Sequence, residues 1–228
     1  MEHKEQHSGS SNFIQDLVIG LSDGLTVPFA LAAGISGAVH NNGIVITAGL
    51  AEIAAGSIAM GLGGFLAGQT AVEHYNSELQ REYEEVDRVP EIEKQEIREI
   101  FASYGIQEST QHTIVEELSK DRDKWVEFMM KFELGLEKPL ENRAATSALT
   151  IGMAYIAGGI VPLIPYFFTQ TPVEGLKLSA GVTVLCLFAF GYYKSIVTGQ
   201  KPWLGALKMT AIGAAAASAA FLIARLIS

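Results

Sequence analysis

GIVITAGLAEIAAGSIAMGLGGFLAG followed directly by QTAVEHYNSELQREYEEVDR, residues 43–88, is the stretch that decides the fold. Its first part carries a single charge, Glu52, and is as long as the run of about 20 apolar residues that crosses a bilayer as a helix. After Gly68 the apolar run stops, but no proline or turn cluster interrupts the chain. Val72, Tyr75, Leu79 and Val86 keep a helical spacing, with Glu78, Glu82 and Glu85 beside them. The segment predicts one helix that leaves the membrane and continues into water.

Working outward, the acidic character persists as far as Arg143. Ala71–Arg143 holds 19 acidic and 10 basic residues, a balance of −9, which equals the net charge of the whole 228-residue chain. The remainder is therefore neutral and apolar. Such a block repels phosphate backbones, so nucleic acid is excluded as a partner, and a cation is favoured. Five apolar spans flank or precede the block: Ile14–Val39, Ile44–Gly68, Ala144–Phe168, Gly175–Ile196 and Leu204–Ile227. The organisation expected is a polar tail at 1–12, spans one and two within 13–70, an acidic helical domain at 71–142, and spans three to five within 143–228. The fold class is an all-α integral membrane protein with a helical cytosolic metal-binding domain inserted between spans two and three.

Met1–Asn12 lacks the pattern of a cleaved signal peptide, so the first span is expected to be retained. The connections His40–Gly43 and Thr169–Glu174 contain no Lys or Arg, whereas Lys194, Lys201 and Lys208 flank the turn after span four. By the positive-inside rule the insert and that turn face the cytosol, with the amino end cytosolic and the carboxyl end across the membrane. Cys186 is the single cysteine and forms no internal disulfide. No P-loop, GxSxG, HExxH or CxxC pattern occurs, which removes the sequence basis for nucleotide hydrolysis or nucleophilic catalysis.

Inside the insert, Val89-Pro90 should end one helix and start the next, because the residue before proline avoids the helical region while proline suits N1. The second helix should reach Tyr104, capped by Gly105, with Ile97, Ile100, Phe101 and Tyr104 on its core face. A third helical region from Glu108 should break near Ser119–Asp121, and its last part, closed by Gly135 and Pro139, places Trp125, Phe128, Met129, Phe132 and Leu136 on one face. Glu82 with Glu85, and Glu93 with Glu96, are i, i+3 pairs that can reach one ion. Met130 and Glu133 repeat that spacing, and Met129 stands four residues before Glu133. Carboxylates with thioethers suit a first-row transition ion such as Fe(II) better than calcium.

The spans carry acids of their own. Asp16 and Asp23 lie seven residues apart, two turns along one face of span one. A carboxylate in mid-membrane costs about 2.5–3.5 kcal/mol on insertion scales, which marks Asp23 as a functional candidate. Pro28 follows it and should kink the helix. On span two, Ala51, Ala55, Ala59, Gly63 and Ala67 form a ladder of small residues that lets another helix approach. Glu52, Gly56 and Met60 stand on the neighbouring stripe. A carboxylate that holds either a proton or a metal can couple their opposite movements.

The stretches GLSDGLTVPFALAAGISGA, GLAEIAAGSIAMGLGGFLAG, WVEFMMKFELGLEKP and GGIVPLIPYF resemble the vacuolar iron transporters, plant-type members in particular, and the likeness runs from Asn12 onwards. The resemblance implies a five-span homodimer in the vacuolar membrane that exchanges Fe(II), with Mn(II) as a candidate second cargo, for protons. It carries no prosthetic group; the divalent metal is cargo. Carried over by position, Glu82, Glu85, Glu93, Glu96, Met129, Met130 and Glu133 match the family's cytosolic ligands. Asp23 and Met60 match its membrane site at the dimer interface, with Asp16 and Glu52 along the ion path. Many members have glutamate where this chain has Asn12 and methionine where it has Gly56, so the entrance loses charge and the path a soft ligand. The alternative reading is a membrane-tethered di-iron carboxylate oxidase. Its bundles use Glu-x-x-His, and neither His74 nor His112 has a glutamate three residues before it.

Overall fold

The computed structural model describes residues 8–140 and 142–227, and every regular element among them is helical. The helices are α1 (Ser8–Ser36), α2 (Asn42–Arg88), α3 (Pro90–Ser103), α4 (Glu108–Leu118), α5 (Arg122–Phe132), α6 (Arg143–Leu163), α7 (Pro172–Val197) and α8 (Pro202–Ile227), with a 3-10 turn at Ile164–Phe167 after α6. Five of them, α1, α2, α6 with its 3-10 turn, α7 and α8, are long and apolar enough to cross a membrane. The chain divides into two compact units, Met1–Leu66 with Ala144–Ser228, and Ala67–Arg143. α2 runs unbroken from the first into the second, the continuity expected from its unbroken spacing.

In the first unit, α1 and α6 are the most deeply packed helices. Their backbones touch because glycines face each other: a Cβ on Gly158 would lie 2.9 Å from the Leu25 nitrogen and 3.0 Å from the Leu21 oxygen. α7 packs on α8, and α1 on both. The helix ends are tied by polar side chains rather than by charge. Asn42 Nδ2 donates to the carbonyls of Tyr166 at 3.1 Å and Thr169 at 2.6 Å. Ser36 Oγ and the Tyr166 hydroxyl share a hydrogen bond of 2.9 Å. Ser179 Oγ donates to the Pro162 carbonyl at 2.7 Å, where α6 gives way to the 3-10 turn and Pro165 withholds an amide.

The start of α1 differs from the sequence reading. α1 starts at Ser8, inside the stretch read as tail, because a helix continues past its apolar face while its backbone bonds continue. The helix runs on through Pro28, whose ring is fully buried.

The second unit packs the polar part of α2 with α3, α4 and α5 around Val86, Ile97, Val115, Trp125, Val126, Met129 and Met130. Each break has a local cause. Pro90 opens α3, Gly105 takes φ 76° after the Tyr104 cap, and the Asp121 carboxylate accepts from Lys124 N at 3.3 Å to cap α5. Arg122 binds Asp87 through two bonds, 2.9 and 2.5 Å, and sits 4.5 Å from the Tyr83 ring centroid, which fixes the start of α5 against the end of α2. Tyr104, placed on the core face by spacing, is 75% exposed: α3 ends at Ser103, and the cap turns the side chain outward.

Candidate metal sites

The acids of the second unit converge although they come from three helices. Glu82 is on α2, Glu93 opens α3 and Glu133 caps the end of α5. One carboxylate oxygen from each lies within 4.8 Å of the others. The core explains the convergence. Val86 and Ile97, each four residues on from Glu82 and Glu93, are buried in the apolar cluster, so the preceding turn of each helix is held against the same centre. Glu82 and Glu93 are only 2% and 3% exposed, whereas Glu133 lies on the open side.

The electrostatics follow from that crowding. Burial, then the charges of Glu133 and Glu85, push the Glu82 carboxyl up to about 7, against the opposing pull of Arg81. Burial, then Glu96, Glu82 and Glu133, push Glu93 up to about 7. Glu96 and Glu133 also shift upward, each chiefly through burial and next through neighbouring acids. Glu82 and Glu93 each keep one buried oxygen with no hydrogen-bond partner among the described residues. An uncompensated buried carboxylate is costly, and a proton or a cation relieves it. Glu85 and Glu96 enter the group through these charge interactions. Met129 and Met130 are fully buried in the adjoining apolar cluster.

The membrane acids occupy the first unit. Asp16 is 3% exposed on α1, and Asp23, two turns on, is half-buried. Glu52 and Met60, on α2, are also half-buried. Glu52 accepts a short hydrogen bond from the hydroxyl of Tyr155 on α6, and its second oxygen is buried without a partner among the described residues. Gly24, next to Asp23, packs against the Tyr155 backbone. Gly56 permits the contact, since a Cβ there would lie 2.5 Å from the Tyr155 hydroxyl. Sequence reasoning passed over Tyr155. The available signal was a phenolic hydroxyl in mid-span, which has to find a partner when buried. The ladder Ala51, Ala55, Ala59, Gly63 and Ala67 is exposed along its whole length in the single chain.

The profile of the VIT family matches residues 14–225. "Vacuolar iron transporter 1" of Tulipa gesneriana is 49% identical over 224 residues, covering 98% of this chain and 91% of the relative. "Vacuolar iron transporter 2" of Oryza sativa subsp. japonica is 50% identical over 224 residues, with coverage of 98% and 91%. "Vacuolar iron transporter 1" of Arabidopsis thaliana is 48% identical over 225 residues, with coverage of 99% and 90%. These relatives are named as transporters, not enzymes. With a family match over nearly its full length and this degree of identity, the chain belongs to the VIT family.

Proposed function

We propose that this chain is a secondary transporter that moves Fe(II), and Mn(II) as a second cargo, from the cytosol into the vacuole in exchange for protons. The names of its relatives supply the metal and the compartment. The observation that carries the chemistry is the group Glu82, Glu93 and Glu133, three carboxylates within 4.8 Å, two of them buried with an unpartnered oxygen. Such a group holds a divalent cation or, without one, retains protons near neutral pH. In this reading Ala67–Arg143 is a cytosolic collecting domain, with Glu85 and Glu96 adding charge and Met129, Met130 lending soft character from its core.

Transport itself belongs to the spans. Asp23 and Met60, half-buried in the single chain, form the membrane site when a second copy covers the small-residue ladder. Asp16 and Glu52 mark the path. The carboxylates neutralise the ion and the thioether tilts selectivity towards transition metals. Loss of the ion returns a proton to the buried acid, which couples the two movements. The oxidase alternative lacks Glu-x-x-His, and nothing in the geometry favours it.

The test is metal uptake by sealed vesicles containing the full chain, with a proton-sensitive dye inside. Fe(II) added outside should enter while the interior becomes more alkaline. Entry of metal without proton movement would overturn the exchange; no entry would overturn the transport reading.

A further inference from the structure

Three lysines line one cavity at the turn between α7 and α8. α7 ends at Val197 with Thr198 as its cap, and Gly199 adopts φ 67°. The Gln200 amide then returns to the Ser195 carbonyl at 2.8 Å, and Pro202 starts α8. This tight turn sets Lys194, in the last turn of α7, beside Lys201 and Lys208, which are seven residues apart and share a face. All three line a cavity of about 670 Å³, and no acid is among its lining residues. Among the described residues none of the three ammonium groups has an ion-pair partner. Outside Ala71–Arg143 the chain has six basic residues, so half of them stand around this one cavity.

Helix electrostatics account for one of the three. Lys194 complements the negative end of α7, but Lys201 directly precedes α8, where the helix dipole disfavours a cation. Three cations without an ion-pair partner among the described residues repel one another, and an anion between them removes that repulsion. The cavity also has a second character. Its wall also includes Leu204, Met209 and Ile212, all three on α8. Beside it, Trp203 is 65% exposed and packs edge-on to Tyr192 and tilted to Phe188, with ring centroids 5.5 and 5.7 Å away. Aromatic rings of this kind mark headgroup depth in a bilayer.

We propose that the α7–α8 turn binds a phosphate group carried by an anionic lipid. Lys194, Lys201 and Lys208 hold the phosphate, Ser195 and Thr198 line the same site, and the lipid's apolar stem lies along Met209 and Ile212. Basic pockets between membrane helices take headgroups in this way. The inference does not depend on metal transport.

The test uses the full chain purified in detergent, with thermal unfolding as the readout. The probes are dioctanoyl phosphatidylinositol 4-phosphate, dioctanoyl phosphatidylcholine and inorganic phosphate. The phosphoinositide should raise the unfolding temperature saturably, and phosphatidylcholine should not. K194Q, K201Q and K208Q should each weaken the effect about tenfold, as expected for loss of one charge-assisted bond. K194R/K201R/K208R should retain it, and K177Q, outside the cavity, should leave it unchanged. If inorganic phosphate gives the same saturable, lysine-dependent effect, phosphate recognition stands and the lipid as its source is overturned. If phosphoinositide and phosphatidylcholine act alike, or if the triple glutamine variant responds as the parent does, the proposal fails.

Discussion

Replacing Glu93 with Gln asks whether the acids of the second unit act as one half-protonated metal site. Glu82 and Glu93 are both displaced from 4.5 to about 7. For a fully enclosed group that displacement corresponds to about 3 kcal/mol, and with water at the open Glu133 side it falls to about 1–2 kcal/mol each. The sign is fixed by linkage. Both groups hold protons more tightly in the folded chain, so their stabilising contribution is complete below about pH 4.5 and disappears as pH rises through about 7. At pH 7 each is about half protonated, and a bound divalent ion should expel about one proton from the pair; at pH 6 the number approaches two, and at pH 8 it approaches zero. Calorimetric titration of the full chain with Mn(II), in buffers of different ionisation enthalpy, counts these protons. E93Q should cut the release at pH 7 by about half and weaken Mn(II) binding about tenfold, while making the metal-free protein more stable above pH 7. Equal proton release by parent and variant would refute the reasoning and leave the carboxylates as independent surface acids.

Three further outcomes are expected. D23N keeps shape but can neither release a proton nor balance a divalent charge; vesicle uptake and proton counter-movement should both vanish while the second unit still binds Mn(II). G56A puts a Cβ 2.5 Å from the Tyr155 hydroxyl, which should displace the ring from Glu52, cost about 1–3 kcal/mol in thermal stability and slow uptake as much as Y155F does. A59L should disrupt the dimer proposed on the exposed ladder, at a cost of about 1–3 kcal/mol or more; unchanged assembly by light scattering would show that the ladder faces lipid.

The fold was legible because its signals are long and one-dimensional. Apolar runs gave the five spans to within a few residues, and Pro90, Gly105 and Asp121 each interrupted the insert where the backbone requires it. Part of the candidate site was legible for a related reason: Glu82 and Glu93 flank residues with clear core spacing, so a correct helix face carried them along. That Glu133 joins them depends on how α5 returns to α2, and the spacing within one helix carries no such information. The fixing contacts, Arg122 on Asp87 and Tyr83, lie at least 35 residues apart in the chain. Tyr155 was hidden for the same cause. Its partner Glu52 is 103 residues away, and a lone tyrosine among Ala and Gly looks like ordinary span filler.

Gly56 joins the two kinds of information. In the sequence it is a glycine on the stripe between Glu52 and Met60; in the fold it is the space into which the Tyr155 hydroxyl reaches. Glu52 has one oxygen satisfied by that hydroxyl and one buried without a partner among the described residues. A carboxylate so placed is held in position by a neutral donor, and among the described residues no cation pairs with it. A methionine at 56 would have to share the space with the ring and would set a soft ligand beside the acid. The glycine gives the space to a hydrogen bond instead. On the proposed function, this chain therefore grips Glu52 more firmly and offers the passing ion one fewer sulfur, so its discrimination between Fe(II) and Mn(II) should rest more heavily on Met60. M60A should then narrow the ratio of Fe(II) to Mn(II) uptake towards unity with a smaller loss of total transport than D23N causes. A ratio unchanged by M60A would show that selectivity is set outside the membrane site.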